Sequence, residues 1–202
     1  MHPRLRLAAA TLVIAMVAAL ATVAATGRPS VTASAPGFAG ALAPAGLPVM
    51  GFNLRDQNGT PASLAQYRGQ VTILTFMYST CQDTCPVMAQ QIRGALDDLP
   101  APVPTLAVSV DPVNDTALNA RRFVSHASLT GRMRFLLGTR AQLARVWHSY
   151  AIAPQLGTSR HSDHSSYVFV LDRSGRERVG FPLDQLTPDA LAHDVRRLQR
   201  ET

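Results

Sequence analysis

Three features of the sequence predict an α/β fold of thioredoxin-like layout, with a mixed central sheet flanked by helices. Strand-like and helix-like segments alternate as β-α-β-α-β and end in a hairpin and a helix, the order of an α/β sandwich. The most apolar strand segment, Val71-Thr-Ile-Leu-Thr-Phe-Met-Tyr78, runs into Cys81-Gln-Asp-Thr-Cys85-Pro86, which holds both cysteines of the 202-residue chain. Beyond it Met88, Ile92, Ala95, Leu96 and Leu99 recur every three or four residues, the spacing of one helical face. The cysteine loop therefore opens a helix, whose N-terminus stabilises a thiolate.

The elements follow in chain order. Arg4 and Arg6 precede an uncharged Ala-, Val- and Leu-rich stretch from Leu7 to Thr26. That is the roughly 20 residues a membrane span needs, and longer than the ~7–15 residues of a secretory h-region. Residues 1–26 are read as an uncleaved anchor with the arginines cytoplasmic and the rest exported. The alternative is a signal peptide cleaved near Val23-Ala24-Ala25, giving a secreted form. Residues 27–48, rich in Ala, Pro, Gly and Ser without a period, read as a flexible linker. The folded domain is placed at 49–202.

Within that domain Phe52-Asn-Leu54 is a short strand, and Asp56-Gln-Asn-Gly59 a turn with the Asn-Gly signature. Residues from Ala62 to Tyr67 suggest a helical turn. Val71 to Tyr78, apolar on both faces, is the central strand. Pro86 is expected at the first position of a helix ending near Leu99. Thr105 to Val110 is a second buried strand, ended by Asp111-Pro112. Asn114-Asp115-Thr116 caps a helix to about Ser125. Met133 to Leu137 is a third strand, and Arg140 to Tyr150 a helix with Leu143, Val146, Trp147 and Tyr150 on one face. After a loop from Ala151 to Asp163, Ser166 to Leu171 and Glu177 to Phe181 form a hairpin about Asp172-Arg-Ser-Gly175. A helix from Thr187 or Pro188 to about Arg200 closes the chain.

Composition limits the function. All 19 basic residues are arginine, and the net charge of +6 falls to +4 without the first 26 residues. No basic cluster is interleaved with aromatics, which argues against nucleic-acid binding. The positive surface favours an acidic partner or anionic headgroups.

The two cysteines carry the chemistry. Their spacing is Cys-x3-Cys, so the usual Cys-x2-Cys redox reading is not automatic. A disulfide serving stability alone gains little from so short a loop, which leaves a reactive dithiol or a metal-binding pair. His164, in Asp163-His164-Ser165 ahead of the strongest late strand, falls at the sheet end that holds the dithiol. Two thiolates and an imidazole suit Cu(I), and the imidazole also accommodates Cu(II); zinc accepts the same donors, but its closed sites use four. A lone histidine 79 positions after Cys85 also fits a position with no ligand role, and spacing does not decide. His161 is an alternative ligand or an exposed loop residue. His126, His148 and His193 read as helix surface positions, Trp147 as core, and Met77 and Met88 as core packing rather than thioether ligands.

The sequence resembles the Sco/SenC family of thioredoxin-fold copper-binding assembly factors for cytochrome oxidase. The resemblance lies in Gly51-Phe-Asn-Leu-Arg-Asp-Gln-Asn-Gly59, Phe76-Met-Tyr-Ser-Thr-Cys81-Gln-Asp-Thr-Cys85-Pro86, Val108-Ser-Val-Asp-Pro112, Asp115-Thr116 and Asp163-His164-Ser165, and it covers residues 49–200. It implies that Cys81, Cys85 and His164 bind one copper ion, with Asp83 modulating the site from behind the ligands. Gln82 stands where the family often has proline, which loosens the loop without removing a ligand. The segment before Asp163 bears Arg and His rather than acidic residues, which bears on docking.

The implied function is that of a membrane-tethered copper chaperone, a binding protein rather than an enzyme, which helps metallate cytochrome c oxidase. Its implied partners are the oxidase's copper-site subunit and a periplasmic thiol reductant, and its place is the inner membrane with the domain facing the periplasm or cell exterior. The alternative is a thiol–disulfide oxidoreductase that keeps a partner's copper-site cysteines reduced through Cys81 and Cys85. A thiol peroxidase using Cys81 is disfavoured, since Ser79-Thr80 is not the Pro- and Thr-bearing approach such enzymes place ahead of the reactive cysteine.

Overall fold

Every residue of Thr72–Met77 is buried, and its alternate side chains enter opposite halves of the core. Ile73 and Met77 pack on one side of the sheet, Leu74 and Phe76 on the other. This computed structural model of the chain describes residues 37–154 and 166–201. Their strands are β1 (Ala41–Leu42), β2 (Asn53–Asp56), β3 (Pro61–Ser63), β4 (Thr72–Met77), β5 (Thr105–Ser109), β6 (Arg134–Leu137), β7 (Tyr167–Leu171) and β8 (Glu177–Pro182). They form one sheet in the order β1-β8-β7-β4-β5-β6-β2-β3. β4, β5 and β6 run parallel, and β7 pairs antiparallel with β4. The mixed sheet with flanking helices is the thioredoxin-like α/β fold expected from the sequence.

The helices are α1 (Thr84–Asp98), α2 (Ala117–His126), α3 (Arg140–Ser149) and α4 (Pro188–Arg200). Buried side chains of α1, α2 and α4 share one half of the core, and those of α3 lie in the other. Thr116, Thr139 and Thr187 cap α2, α3 and α4 by accepting from the backbone N–H three residues on, which satisfies a donor the helix leaves orphaned. Trp147, on α3, is buried and donates its indole N–H to the Ser109 carbonyl at 2.9 Å.

Three boundaries differ from the sequence reading. α1 begins at Thr84 rather than Pro86, because the Asp83 carboxylate accepts from Thr84 N at 2.7 Å. Pro86 thus sits third in the helix, still in the first turn, where a missing N–H costs no intrahelical bond. Pro61–Ser63 is a strand paired with β2, and only Leu64–Tyr67 forms a helical turn, of 3-10 type.

The third difference corrects the linker drawn to residue 48. Ala41–Leu42 is an edge strand paired with Gly180 and Val179 of β8. What fixes it is the fully buried Asp194 on α4, whose carboxylate accepts from Ala39 N and Gly40 N at 2.9 Å each. Arg197 also lies over the Phe38 ring, 4.5 Å from its centroid, a cation–π contact. Gly40 is required by closeness, since a Cβ there would stand 2.5 Å from Val179 Cγ1. These contacts are long-range, and a local reading of Gly, Ala and Pro content does not see them. Asp194→Ala should therefore destabilise the domain by about 3 kcal/mol, by leaving two backbone donors unpaired. Denaturant unfolding measures it; a loss below about 0.5 kcal/mol would show that this segment is a tether after all.

The membrane anchor or signal peptide expected at 1–26 lies outside the described residues. No helix among those described is long and apolar enough to cross a membrane.

Candidate metal centre at the dithiol

Cys81 and Cys85 sit where β4 gives way to α1, and both are free thiols. Chain geometry alone brings the sulfurs together. After β4 ends at Met77, a turn closes with Cys81 N donating to the Tyr78 carbonyl at 3.3 Å. The early start of α1 then places Cys85 in the first helical turn, where its N–H has no intrahelical acceptor. That N–H donates to Cys81 Sγ at 3.2 Å. Cys85 is fully buried and Cys81 is 6% exposed.

The two thiols are strongly unequal. A hydrogen bond from the Cys85 side chain is the largest cause of a lowered Cys81 pKa, about 5; burial opposes it, and the N–H groups of Cys85 and Asp83 add to it. Cys85 is pushed far above the ordinary thiol range, first by its hydrogen bond with Cys81 and then by burial. Burial and contact with Cys81 likewise raise the Tyr78 phenol. One negative charge is therefore shared by the dithiol and concentrated on Cys81. When protonated, the Cys81 thiol donates to Asp83 Oδ1 at 3.2 Å.

A buried carboxylate holds the approach to Cys81. Asp115 accepts from Ser79 N and Ser79 Oγ, both at 2.6 Å, on one oxygen and from Ser109 Oγ on the other. It therefore ties the loop leaving β4 to the end of β5. Burial raises its pKa despite these donors. From the sequence Asp115 reads as part of a helix cap and of one segment that carries the family resemblance, with no role at the site. Its burial after an apolar strand was the missed signal, and only tertiary contacts reveal it.

The other expected residues are placed as follows. His164, His161 and Asp163 lie outside the described residues. Met77 and Met88 are fully buried, and Met88 Sδ lies 2.9 Å from Thr75 Oγ1. His148 and His193 are exposed on α3 and α4. His126 ends α2 and borders a cavity of about 320 Å³ that Cys81 also lines, together with Gln90, Asn119 and Arg122. The sequence reading had treated His126 as unrelated to the site. Among the described residues no group of three or more His, Cys, Asp and Glu is placed to hold a metal.

The chain's relatives agree with this architecture. It is 31% identical over 136 residues to the mitochondrial SCO2 homolog of Bos taurus, covering 61% of this chain and 50% of that protein. A SCO2-like protein of Rickettsia prowazekii is 25% identical over 141 residues, covering 66% of this chain and 68% of its own length. The chain thus spans about half the length of the mammalian curated relatives it matches. Among solved structures, copper-bound ScoI of Bradyrhizobium japonicum is 29% identical, with a TM-score of 0.60, and covers 73% of this chain and 97% of its own. BsSco, described as a Sco-family cytochrome c oxidase assembly protein with a disulfide switch, shares the fold at a TM-score of 0.68 and 22% identity, covering 79% of this chain and 98% of its own. The SCO1/SenC family model matches residues 44–200, from just after β1 to the last residue of α4 and across the dithiol turn. With fold, dithiol turn and sequence in agreement over that range, the chain belongs to the SCO1/SenC family.

Proposed function

We propose that the chain is an exported, membrane-tethered copper chaperone that loads the copper site of cytochrome c oxidase. In this reading Cys81, Cys85 and His164 hold one copper ion, residues 1–26 form the anchor, and the chain from about residue 38 forms the copper-binding domain. The observation that carries it is the pair of free, adjacent sulfurs, one of them poised as a thiolate at a helix N-terminus. Soft thiolates are the donors copper(I) prefers. ScoI of B. japonicum, 29% identical, has been solved with copper bound.

His164 is the donor that completes the set. Tyr167, three residues after it, begins β7, and its carbonyl accepts from Thr75 Oγ1 near the end of β4 at 2.9 Å. Three residues of extended chain reach at most about 11 Å, which supports His164 as a donor near the dithiol. Copper here is cargo, and three protein donors leave a position through which an acceptor's ligand can enter. Binding needs both thiols reduced, so an exported reductant is part of the cycle. The reduced full chain should take up one equivalent of Cu(I), and Cys81→Ser or Cys85→Ser should weaken binding at least about tenfold, a loss of about 1.4 kcal/mol. Competition with a Cu(I) chelator checks this; unchanged affinity in both variants would reject the site.

One observation favours a second reading, a thiol–disulfide oxidoreductase. The low Cys81 and high Cys85 pKa values give an attacking thiolate and a protonated resolving thiol. A His164→Ala variant that reduces disulfides at full rate without copper would support it.

A further inference from the structure

Cys81 lines a groove between α1 and α2 whose lining is chemically one-sided. Gln90 of α1 faces Asn119, Arg122 and His126 of α2 across the cavity of about 320 Å³, with Phe123 in the wall and no acidic residue among the described residues lining it. Asn119, Arg122 and His126 recur at helical spacing, so they form one row along α2. Arg122 and His126 are exposed, and no ion pair engages either among the described residues. The volume is at the small end of ligand cavities, about 300–1,000 Å³, which suits a few residues of chain. Two of the domain's exposed large apolar side chains, Val87 and Leu118, belong to the first turns of the same two helices.

We propose that this groove seats an acidic, cysteine-bearing segment of a partner protein, with Arg122 and His126 holding the carboxylate beside the partner's cysteine and setting its sulfur against Cys81 Sγ. Three features select that occupant. A permanent guanidinium charge and an imidazole match a carboxylate. The side-chain amides of Gln90 and Asn119 can pair with an extended backbone. Cys81 in the lining gives a thiol-bearing segment a reason to be there. The inference rests on the dithiol reading above, with Cys81 as the member that lines the groove, and it names what that site recognises.

Thiol exchange reads the groove directly. The reduced, metal-free full chain is mixed with pentapeptides whose central cysteine carries a 2-pyridyl disulfide and is flanked by Asp, Asn or Lys. Cys81 thiolate attacks the peptide sulfur. A Cys81–peptide disulfide forms, the original S–S bond breaks, and pyridine-2-thiolate leaves with its electron pair and is protonated to the absorbing thione. The acidic peptide should react fastest, and Arg122→Ala should slow it about threefold, the worth of an exposed charge pair, while leaving the Asn peptide unchanged. His126→Gln should act in the same direction. Arg145→Ala, an equal charge change on α3, should have no such effect. Equal rates for the three peptides, or equal slowing by Arg145→Ala, would overturn the proposal. Copper titration of Arg122→Ala separates the two claims: unchanged copper binding with lost peptide selectivity supports the groove, and failed copper binding in the parent protein removes the chaperone reading alone.

Discussion

Asp115→Ala is expected to cost about 3 kcal/mol of folding stability and to raise the alkylation rate of Cys85. The carboxylate is buried and receives three hydrogen bonds, from Ser79 N, Ser79 Oγ and Ser109 Oγ. Truncation leaves a backbone N–H and two hydroxyls short of an acceptor, and each unsatisfied buried group costs about 1–3 kcal/mol. Because Ser79 lies two residues before Cys81, the loss falls on the turn that aims the thiol. Cys85, now fully buried, should become reachable as that turn loosens. Denaturant unfolding and mass-resolved alkylation measure the two effects. A stable Asp115→Ala protein with an inert Cys85 would show that the turn is held by something else.

Cys85→Ala is expected to move the titration of Cys81 up from about pH 5, since the Cys85 side chain is the largest cause of its depression. Thiolate absorbance of the metal-free protein reports the midpoint. At pH 6 a rise of one unit should lower the thiolate fraction from about nine-tenths to about half, and a rise of two units to about one-tenth. An unchanged midpoint would assign the depression to the helix N–H groups instead. A stability consequence follows with a definite sign. A thiol whose folded pKa is depressed stabilises the fold fully above its unfolded pKa and loses that contribution as pH falls through the folded value. The reduced, metal-free protein should therefore gain stability as pH rises from about 5 to about 9. Cys81→Ser should lack that gain. Burial of Asp115 acts oppositely, since its raised pKa favours folding at low pH, so the difference between parent and variant is the quantity to compare.

The parts of the fold legible in the sequence were those that local pattern determines. Thr72–Met77 announced itself by being apolar on both faces, α2 and α4 by Thr116 and Thr187, and the β7–β8 hairpin by Asp172-Arg-Ser-Gly175. What stayed hidden depends on contacts distant in sequence. The pairing of Ala41–Leu42 with β8 requires the buried Asp194, more than 150 residues away. The earlier start of α1 needs Asp83 as its cap, and a proline at 86 pointed two residues too far along. At the site, the dithiol was plain from its position between β4 and a helix, whereas the anchoring by Asp115 and the cavity that His126 and Cys81 both line emerge only when β5 and α2 pack alongside.

The copper-chaperone reading requires that Cys81, Cys85 and His164 together hold one copper ion. The most direct measurement is titration of the reduced full chain with Cu(II), parent beside His164→Ala, following thiolate-to-copper absorption and bound metal. The parent should bind one equivalent with that absorption, and His164→Ala should lose the band and bind at least about tenfold more weakly. Equal affinity with an identical band in both proteins would contradict the claim.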